Sequence, residues 1–299
     1  MVNTLATMSA SAPPAPHAPE PDLDAYLARI GWQGSTEPSA DVLRRLQRAH
    51  ILAIPFENTE PLLARRTAAP SLQLPDVEAK LVRGRRGGYC YEQNTLFTAA
   101  LRALGFEVRL LAARVLIGAR PGTVRPRTHM CLLVHVPGET TGHLADVGFG
   151  TPGIPLTSVP LAEGEYEQEG GHRVRLLREH APDRPLADWE LHSLTPQGWN
   201  RLYGFTVEPF EAPDFDVANW QIATNPRSPF SQTPWIVRTL PGGAHRKLSG
   251  RTTLTLTESL TDGTRHERPV ADGAEAVRVL DEKFGIGLPS GSRLLAGGG

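Results

Sequence analysis

Downstream of Cys90 the apolar positions Leu96, Phe97, Ala100, Leu101 and Leu104 recur at the spacing of one helix face, and Gly105 follows as a stop. The same period appears earlier in the chain. Tyr26, Leu27 and Ile30 form a short amphipathic run ended by Gly31, and Val42, Leu43, Leu46 and His50 share one side of a second run. Asp41 is the expected N-cap of that second helix, and Pro55 stops it. A third run, from Asp76 through Val77, Leu81 and Val82, leads into the pair Gly87-Gly88. Residues 22–105 are therefore predicted to be helical.

Past Gly105 the period shortens to that of strands. Segments 108–117, 128–136, 143–149, 173–177, 189–194 and 199–207 are predicted strands, and such short elements at this spacing suggest a barrel or a small antiparallel sheet over residues 106–207. The region 208–287 is mixed. Strands are expected at 235–239 and 252–257, a hairpin turn at Asp262-Gly263, and a closing helix over 274–284. The Ala/Pro/Ser-rich residues 1–21 are expected to be a disordered tail and residues 288–299 a loose one. The first of these has neither the basic start nor the apolar run of a secretory leader, and no apolar stretch of the chain approaches membrane-spanning length.

Composition narrows the class. A chain of 299 residues with 40% hydrophobic and 21% charged positions has an ordinary globular balance. Its net charge of −1 argues against a nucleic-acid or polyanion partner. Two cysteines do not make a disulfide framework in a chain of this length, so both are expected as free thiols in a cytoplasmic protein. Lysine occurs only at positions 80, 247 and 283, which reads as a GC-rich bacterial coding bias.

Candidate chemistry centres on Cys90. A thiol at a helix N-terminus meets unpaired N–H groups and the positive end of the helix dipole, which favour its ionised, nucleophilic form. The preceding glycines permit a close approach to the sulfur. An activated thiol calls for a base, and the base for an orienting acid. Among the ten histidines His129 is best placed, early in an apolar strand, and Asp146 lies within the apolar run that follows. If the two segments pair as an antiparallel hairpin, direct opposition of His129 and Asp146 would set Val134 against Thr141 and leave residues 135–140 as the loop. Shifts by two positions keep both residues on one face, within reach across roughly 7–8 Å. Cys131 is expected to be core packing. His135 and His143, which flank the loop, are expected to face solvent. The separation of the two cysteines lacks the close-paired spacing of a zinc site.

The stretch Arg86-Gly87-Gly88-Tyr89-Cys90-Tyr91-Glu92-Gln93-Asn94 resembles the active-site signature of the arylamine N-acetyltransferases. Tyr26 to Gly31, Ile54-Pro55-Phe56-Glu57-Asn58, Thr128-His129-Met130 and Asp146-Val147-Gly148-Phe149-Gly150 resemble further motifs of that family, in family order. The resemblance implies an α+β fold: an N-terminal helical bundle (22–105) carrying Cys90, a central β-barrel (106–207) carrying His129 and Asp146, and a C-terminal α/β lid (208–287). The core would be like that of papain-type cysteine enzymes.

The resemblance further implies a Cys90–His129–Asp146 triad and ping-pong transfer of an acetyl group from acetyl-CoA, as co-substrate, to an arylamine, arylhydroxylamine or hydrazine. No metal, nucleic acid or membrane is involved in that reading. Phe56, Val115, Phe149 and Phe230 are the implied lining of the acceptor pocket. Glu57 and Arg86 are expected to form an ion pair nearby. Arg246 and Lys247 are expected in a solvated basic turn, with contact to CoA phosphates as the alternative. The same residues leave open an amide synthase that closes an ansamycin-type polyketide, a cysteine hydrolase, and a non-catalytic protein that keeps the fold.

Overall fold

The structure, a computed structural model, describes residues 20–63, 67–120, 123–179, 188–288, 292 and 294. Most of the two expected terminal tails lies outside the described residues, although Leu294 packs, buried, into the C-terminal core.

Among the described residues, the α-helices before the first strand are α1 (Leu23–Arg29), α2 (Ala40–Ala53), α3 (Thr59–Leu63), α4 (Leu74–Glu78) and α5 (Cys90–Ala103). Gly31 ends the first with φ +67°, a conformation that costs glycine nothing. The N-cap of α2 is Ser39 rather than Asp41: the Ser39 hydroxyl accepts from Val42 N–H at 3.2 Å, and Asp41 sits inside the first turn, where its charge suits the dipole. Leu96, Phe97 and Leu101 of α5 are fully buried against the sheet that follows. Each such side chain stabilises the packed state by about 1.5–3 kcal/mol.

That sheet has eight antiparallel strands: β1 (Glu107–Val115), β2 (Arg127–His135), β3 (His143–Ala145), β4 (Val159–Pro160), β5 (Gly164–Glu167), β6 (Arg173–Glu179), β7 (Asp188–Thr195) and β8 (Gly198–Phe205). Their spatial order is β4-β3-β2-β1-β8-β7-β6-β5. Helix α6 (Ala212–Thr224) follows. A second antiparallel sheet, ordered β12-β11-β10-β9, then comprises β9 (Trp235–Thr239), β10 (His245–Ser249), β11 (Leu254–Ser259) and β12 (Arg265–Val270). Helix α7 (Gly273–Val279) closes over that sheet, with Ile236, Leu248, Leu256, Val279 and Phe284 as its core.

The hairpin of β2 and β3 pairs Val134 with His143 and Leu132 with Ala145, two positions from direct opposition of His129 and Asp146. The expected strand over 143–149 stops at Ala145, so Asp146 begins a loop. Two neighbouring expectations are corrected. His143 is buried, because β4 pairs against it and its Nε2 lies 2.9 Å from Glu139 Oε2; His135 is half-buried. Arg246 and Lys247 lie on β10, not in a turn. Arg246 donates to Glu258 at 2.7 Å, and the Lys247 ammonium sits 3.6 Å from the Trp235 ring centroid.

The segment 54–58 joins the second sheet to the turn before Cys90. Phe56 N–H donates to Val237 O and Val237 N–H to Phe56 O, each at 2.9 Å. Asn58 Nδ2 donates to Phe230 O and Thr233 O at 2.9 and 2.8 Å, and its Oδ1 accepts from Trp235 N–H at 2.7 Å. Trp235 Nε1 in turn donates to Gly150 O at 2.7 Å.

Candidate active site

Cys90 is the first residue of α5, where the terminal N–H groups of a helix are unsatisfied. The turn before it is fixed from beneath. Arg86 forms the expected fork with Glu57, its Nε and Nη2 donating to Oε1 and Oε2 at 2.8 and 2.9 Å, and Gly87 N–H donates to Glu57 Oε1 at 3.1 Å. Gly87 is required on space alone, since a Cβ there would lie 2.2 Å from Pro55 O. On the other side, Glu92 Oε2 accepts from Tyr89 N–H at 3.1 Å, and Lys80 Nζ donates to Glu92 Oε1 at 2.6 Å. Burial opposes charge on Lys80, but Glu92, Glu57 and Glu60 around it raise the ammonium's pKa above its ordinary value.

His129 projects from β2 and is 3% exposed. Its Nε2 lies 2.7 Å from Asp146 Oδ2, and the Cys90 side chain also favours the charged form of the ring. Burial alone would lower the imidazole's pKa. The Asp146 charge and hydrogen bond, with the Cys90 contact, outweigh burial and raise it to about 10. An anion at Cys90 Sγ would therefore face an imidazolium and the positive end of α5. The edges of Phe149 and Tyr203, with centroids 4.8 and 5.0 Å from the imidazole, hold the ring in place.

Both carboxylate oxygens and the backbone N–H of Asp146 are held. Its Oδ1 accepts from Asn94 Nδ2 at 3.1 Å and from Gly148 N–H at 2.8 Å, and its backbone N–H donates to Gln47 Oε1 at 3.1 Å. Asn94 Nδ2 also donates to Met130 O at 2.8 Å, and its Oδ1 accepts from Val147 N–H at 3.2 Å. This one amide ties α5, β2 and the Asp146 loop together. The sequence does not single out Asn94, Gln47 or Tyr203: Asn94 lies one helical turn past Cys90, but a neutral amide carries no charge signal.

The Asp146 loop presses directly on the helix. A Cβ on Gly148 would lie 2.6 Å from Cys90 Cα and 2.9 Å from Cys90 O, both backbone atoms that cannot swing aside. Gly148→Ala is therefore expected to lower stability by about 2–3 kcal/mol, the cost of overpacking a tight site. Any acyl transfer should fall roughly 100-fold as the sulfur shifts against the imidazole. Gly273→Ala, at a position with open space, serves as the control. Urea unfolding and steady-state rates of the two variants check this, and near-wild-type values for Gly148→Ala would contradict the packing described.

Cys90 and His129 open onto a cavity of about 480 Å³. Phe56, Val115, Phe149 and Phe230 all line it, and Ile117, Ile222 and Trp235, not singled out from the sequence, join them. Cys131 does not reach the cavity; it is fully buried, and burial pushes its thiol well above the usual range. Among the described residues no group of three or more His, Cys, Asp or Glu could hold a metal ion, and no helix is long and apolar enough to cross a membrane.

Comparison with known proteins identifies the family. Residues 39–293 match the family model described as N-acetyltransferase. The arylamine N-acetyltransferase of Mycolicibacterium smegmatis is 37% identical over 268 residues, covering 89% of this chain and 92% of the relative. Among solved structures, the arylamine N-acetyltransferase of Nocardia farcinica superposes with a TM-score of 0.79 at 39% identity, covering 90% of each chain. That of Mycobacterium marinum, solved in complex with CoA, gives 0.78 at 35% identity over 89% of this chain and 93% of its own. By sequence and by fold, this chain belongs to the arylamine N-acetyltransferase family.

Proposed function

We propose that the protein transfers an acetyl group from acetyl-CoA to an aromatic amine or hydrazine in two half-reactions, with Cys90, His129 and Asp146 as its catalytic triad. The observation that carries this reading is a cavity-lining cysteine at a helix N-terminus, sharing that cavity with an imidazole whose Nε2 lies 2.7 Å from a buried carboxylate. In the first half, Cys90 Sγ attacks the thioester carbonyl carbon. The bond from that carbon to the CoA sulfur breaks, and CoA leaves as a thiol with the proton that His129 held. In the second half, the amine nitrogen attacks the acetyl-Cys90 carbonyl, His129 takes the nitrogen's proton, and Cys90 departs. Exchange between two thioesters is nearly balanced, and formation of the amide draws the sequence forward. Asp146 keeps Nε2 of the imidazole occupied, so Nδ1 does the proton transfer. The cavity is of the size that holds a small aromatic molecule, and its phenylalanines supply flat apolar contact.

The test is intact-protein and peptide mass spectrometry. Protein mixed with acetyl-CoA and no amine should gain the mass of one acetyl group, on the peptide holding Cys90, and lose it on addition of an aromatic amine. Absence of the adduct, or its appearance on Cys131, would overturn the proposal.

A further inference from the structure

Buried polar groups link the first helix to the turn before Cys90. Tyr26 of α1, His50 of α2 and Gln93 of α5 are each 0% exposed. The Tyr26 hydroxyl lies 3.0 Å from His50 Nδ1, and His50 Nε2 lies 2.7 Å from Gln93 Oε1. The Gln93 amide nitrogen donates to Pro55 O at 2.9 Å and to Gly88 O at 3.1 Å. Those two carbonyls dictate the proton at every link. A carbonyl only accepts, so the Gln93 nitrogen faces them and its oxygen faces His50. That oxygen needs an N–H, so the imidazole carries its proton on Nε2. Nδ1 is then the acceptor, and the Tyr26 hydroxyl is its donor. Burial lowers the His50 pKa to about 4, against the pull of the Gln93 hydrogen bond, so the ring is neutral at pH 7 and has a single N–H to give.

We propose that Gln93 and His50 are positioning residues for acyl transfer: His50, its tautomer set by Tyr26, aims the Gln93 amide at Gly88 O and Pro55 O, and so fixes Cys90 against His129. The assignment rests on the acetyl-transfer reading of Cys90. Gly88 stands two residues before the sulfur, and Pro55 precedes Phe56 of the cavity wall. One side chain thus ties the start of α5 to the segment 54–58. Apolar side chains of similar size would fill the same space without the cost of burying polar atoms. Nor is Gln93 needed to satisfy Gly88 O, which already accepts from Glu57 N–H at 3.0 Å. What the polar groups add is direction, because two N–H bonds at fixed angles hold the turn in one place. The imidazole packs between the rings of Tyr26 and Phe97, with centroids 5.8 and 5.4 Å away, so it cannot swing to another partner.

The experiment follows acetyl-Cys90 formation by rapid quench and mass spectrometry across a range of acetyl-CoA concentrations, in the unaltered protein and in Gln93→Leu, His50→Leu, His50→Gln and Leu46→Ala. The saturating rate is expected to fall about 10- to 30-fold in Gln93→Leu and His50→Leu, less than the roughly 100-fold that a misplacement of about 1 Å can cost. The half-saturating acetyl-CoA concentration should stay within about 2-fold, since donor binding is untouched. His50→Gln keeps an N–H donor near the place of Nε2 and should recover the rate to within about 3-fold of the unaltered protein. Leu46, 1% exposed in the same core, is the control: Leu46→Ala removes no polar atom and should lower the urea midpoint while leaving the rate unchanged. An unchanged rate in Gln93→Leu overturns the proposal, and so does an equal loss in Leu46→Ala or in His50→Gln. A ¹⁵N NMR spectrum of the histidine rings tests the proton order in the unaltered protein. The His50 signal, identified by its absence in His50→Gln, should be that of the Nε2–H tautomer, and the Nδ1–H form overturns the proposal. If the unaltered protein forms no acetyl-Cys90, the underlying acetyl-transfer reading fails, an outcome separate from all of these.

Discussion

Replacing Cys90 by Ser is expected to abolish acetyl transfer, with a loss of at least about 10⁴-fold in kcat/KM, while the fold survives. Oxygen is smaller than sulfur, so the change introduces no clash at a position that is only 4% exposed, and Cys90 is one member of a larger apolar cluster with Phe56, Tyr89 and Met130. What changes is chemistry. A serine hydroxyl attacks only as a base takes its proton, and an imidazole with its pKa raised to about 10 by Asp146 is already protonated at neutral pH. His129 is therefore suited to stabilising a thiolate and unsuited to accepting a serine's proton. Cys131 cannot substitute, since it is sealed in the core of the sheet. Circular dichroism and urea unfolding should match the unaltered protein, and no acetyl adduct should form. More than about 1% residual transfer, judged against the loss expected for a removed nucleophile, would mean that the nucleophile lies elsewhere.

Asp146→Asn should be the second most severe change. An amide in place of the carboxylate removes the charge that offsets burial of the imidazolium, and it offers either orientation to Nε2, so the ring loses its fixed tautomer. Loss of this kind of orienting carboxylate costs roughly 10²–10⁴-fold in kcat. The substitution also has a signature in stability against pH. The folded imidazole titrates near pH 10 against an ordinary value of 6.5, so folding takes up a proton between those values. The stability it contributes is fully present below pH 6.5 and is lost as pH rises through about 10. Urea midpoints of the unaltered protein should therefore fall over that window, and the part due to His129 should be missing in Asp146→Asn. Equal slopes in the two proteins would show that the imidazole is not charged at neutral pH.

Much of this centre was legible because its signals are local. A glycine pair followed by a helical period places a cysteine at a helix start, and antiparallel pairing puts His129 and Asp146 on one face for any shift by two. The shift itself was not legible. The hairpin loop is longer than direct opposition requires, and β3 ends after three residues because Asp146, Asn94 and Gly148 satisfy one another in a loop instead of a ladder. Helix α6 was missed for a different reason. Phe215 and Ile222 are buried, but Val217 and Trp220 are exposed, so apolar residues spread around the helix and leave no stripe. Strands β10 and β12 read as polar segments, His245–Ser249 and Arg265–Val270, because arginine, lysine and glutamate occupy their outer positions and pair across the sheet. Tyr26, His50 and Gln93 stand far apart in sequence and meet only in the folded protein.

The exchange of hydrogen bonds between Phe56 and Val237, with Trp235 reaching to Gly150, gives the C-terminal sheet a share in the wall of the cavity. A covalent thioester waiting for its amine has a rival in every water molecule that gains entry. In the proposed reaction the fidelity of the second half, amide made per acetyl group consumed, would thus depend on a seam to which Trp235 and Val237 contribute from more than a hundred positions beyond the sulfur.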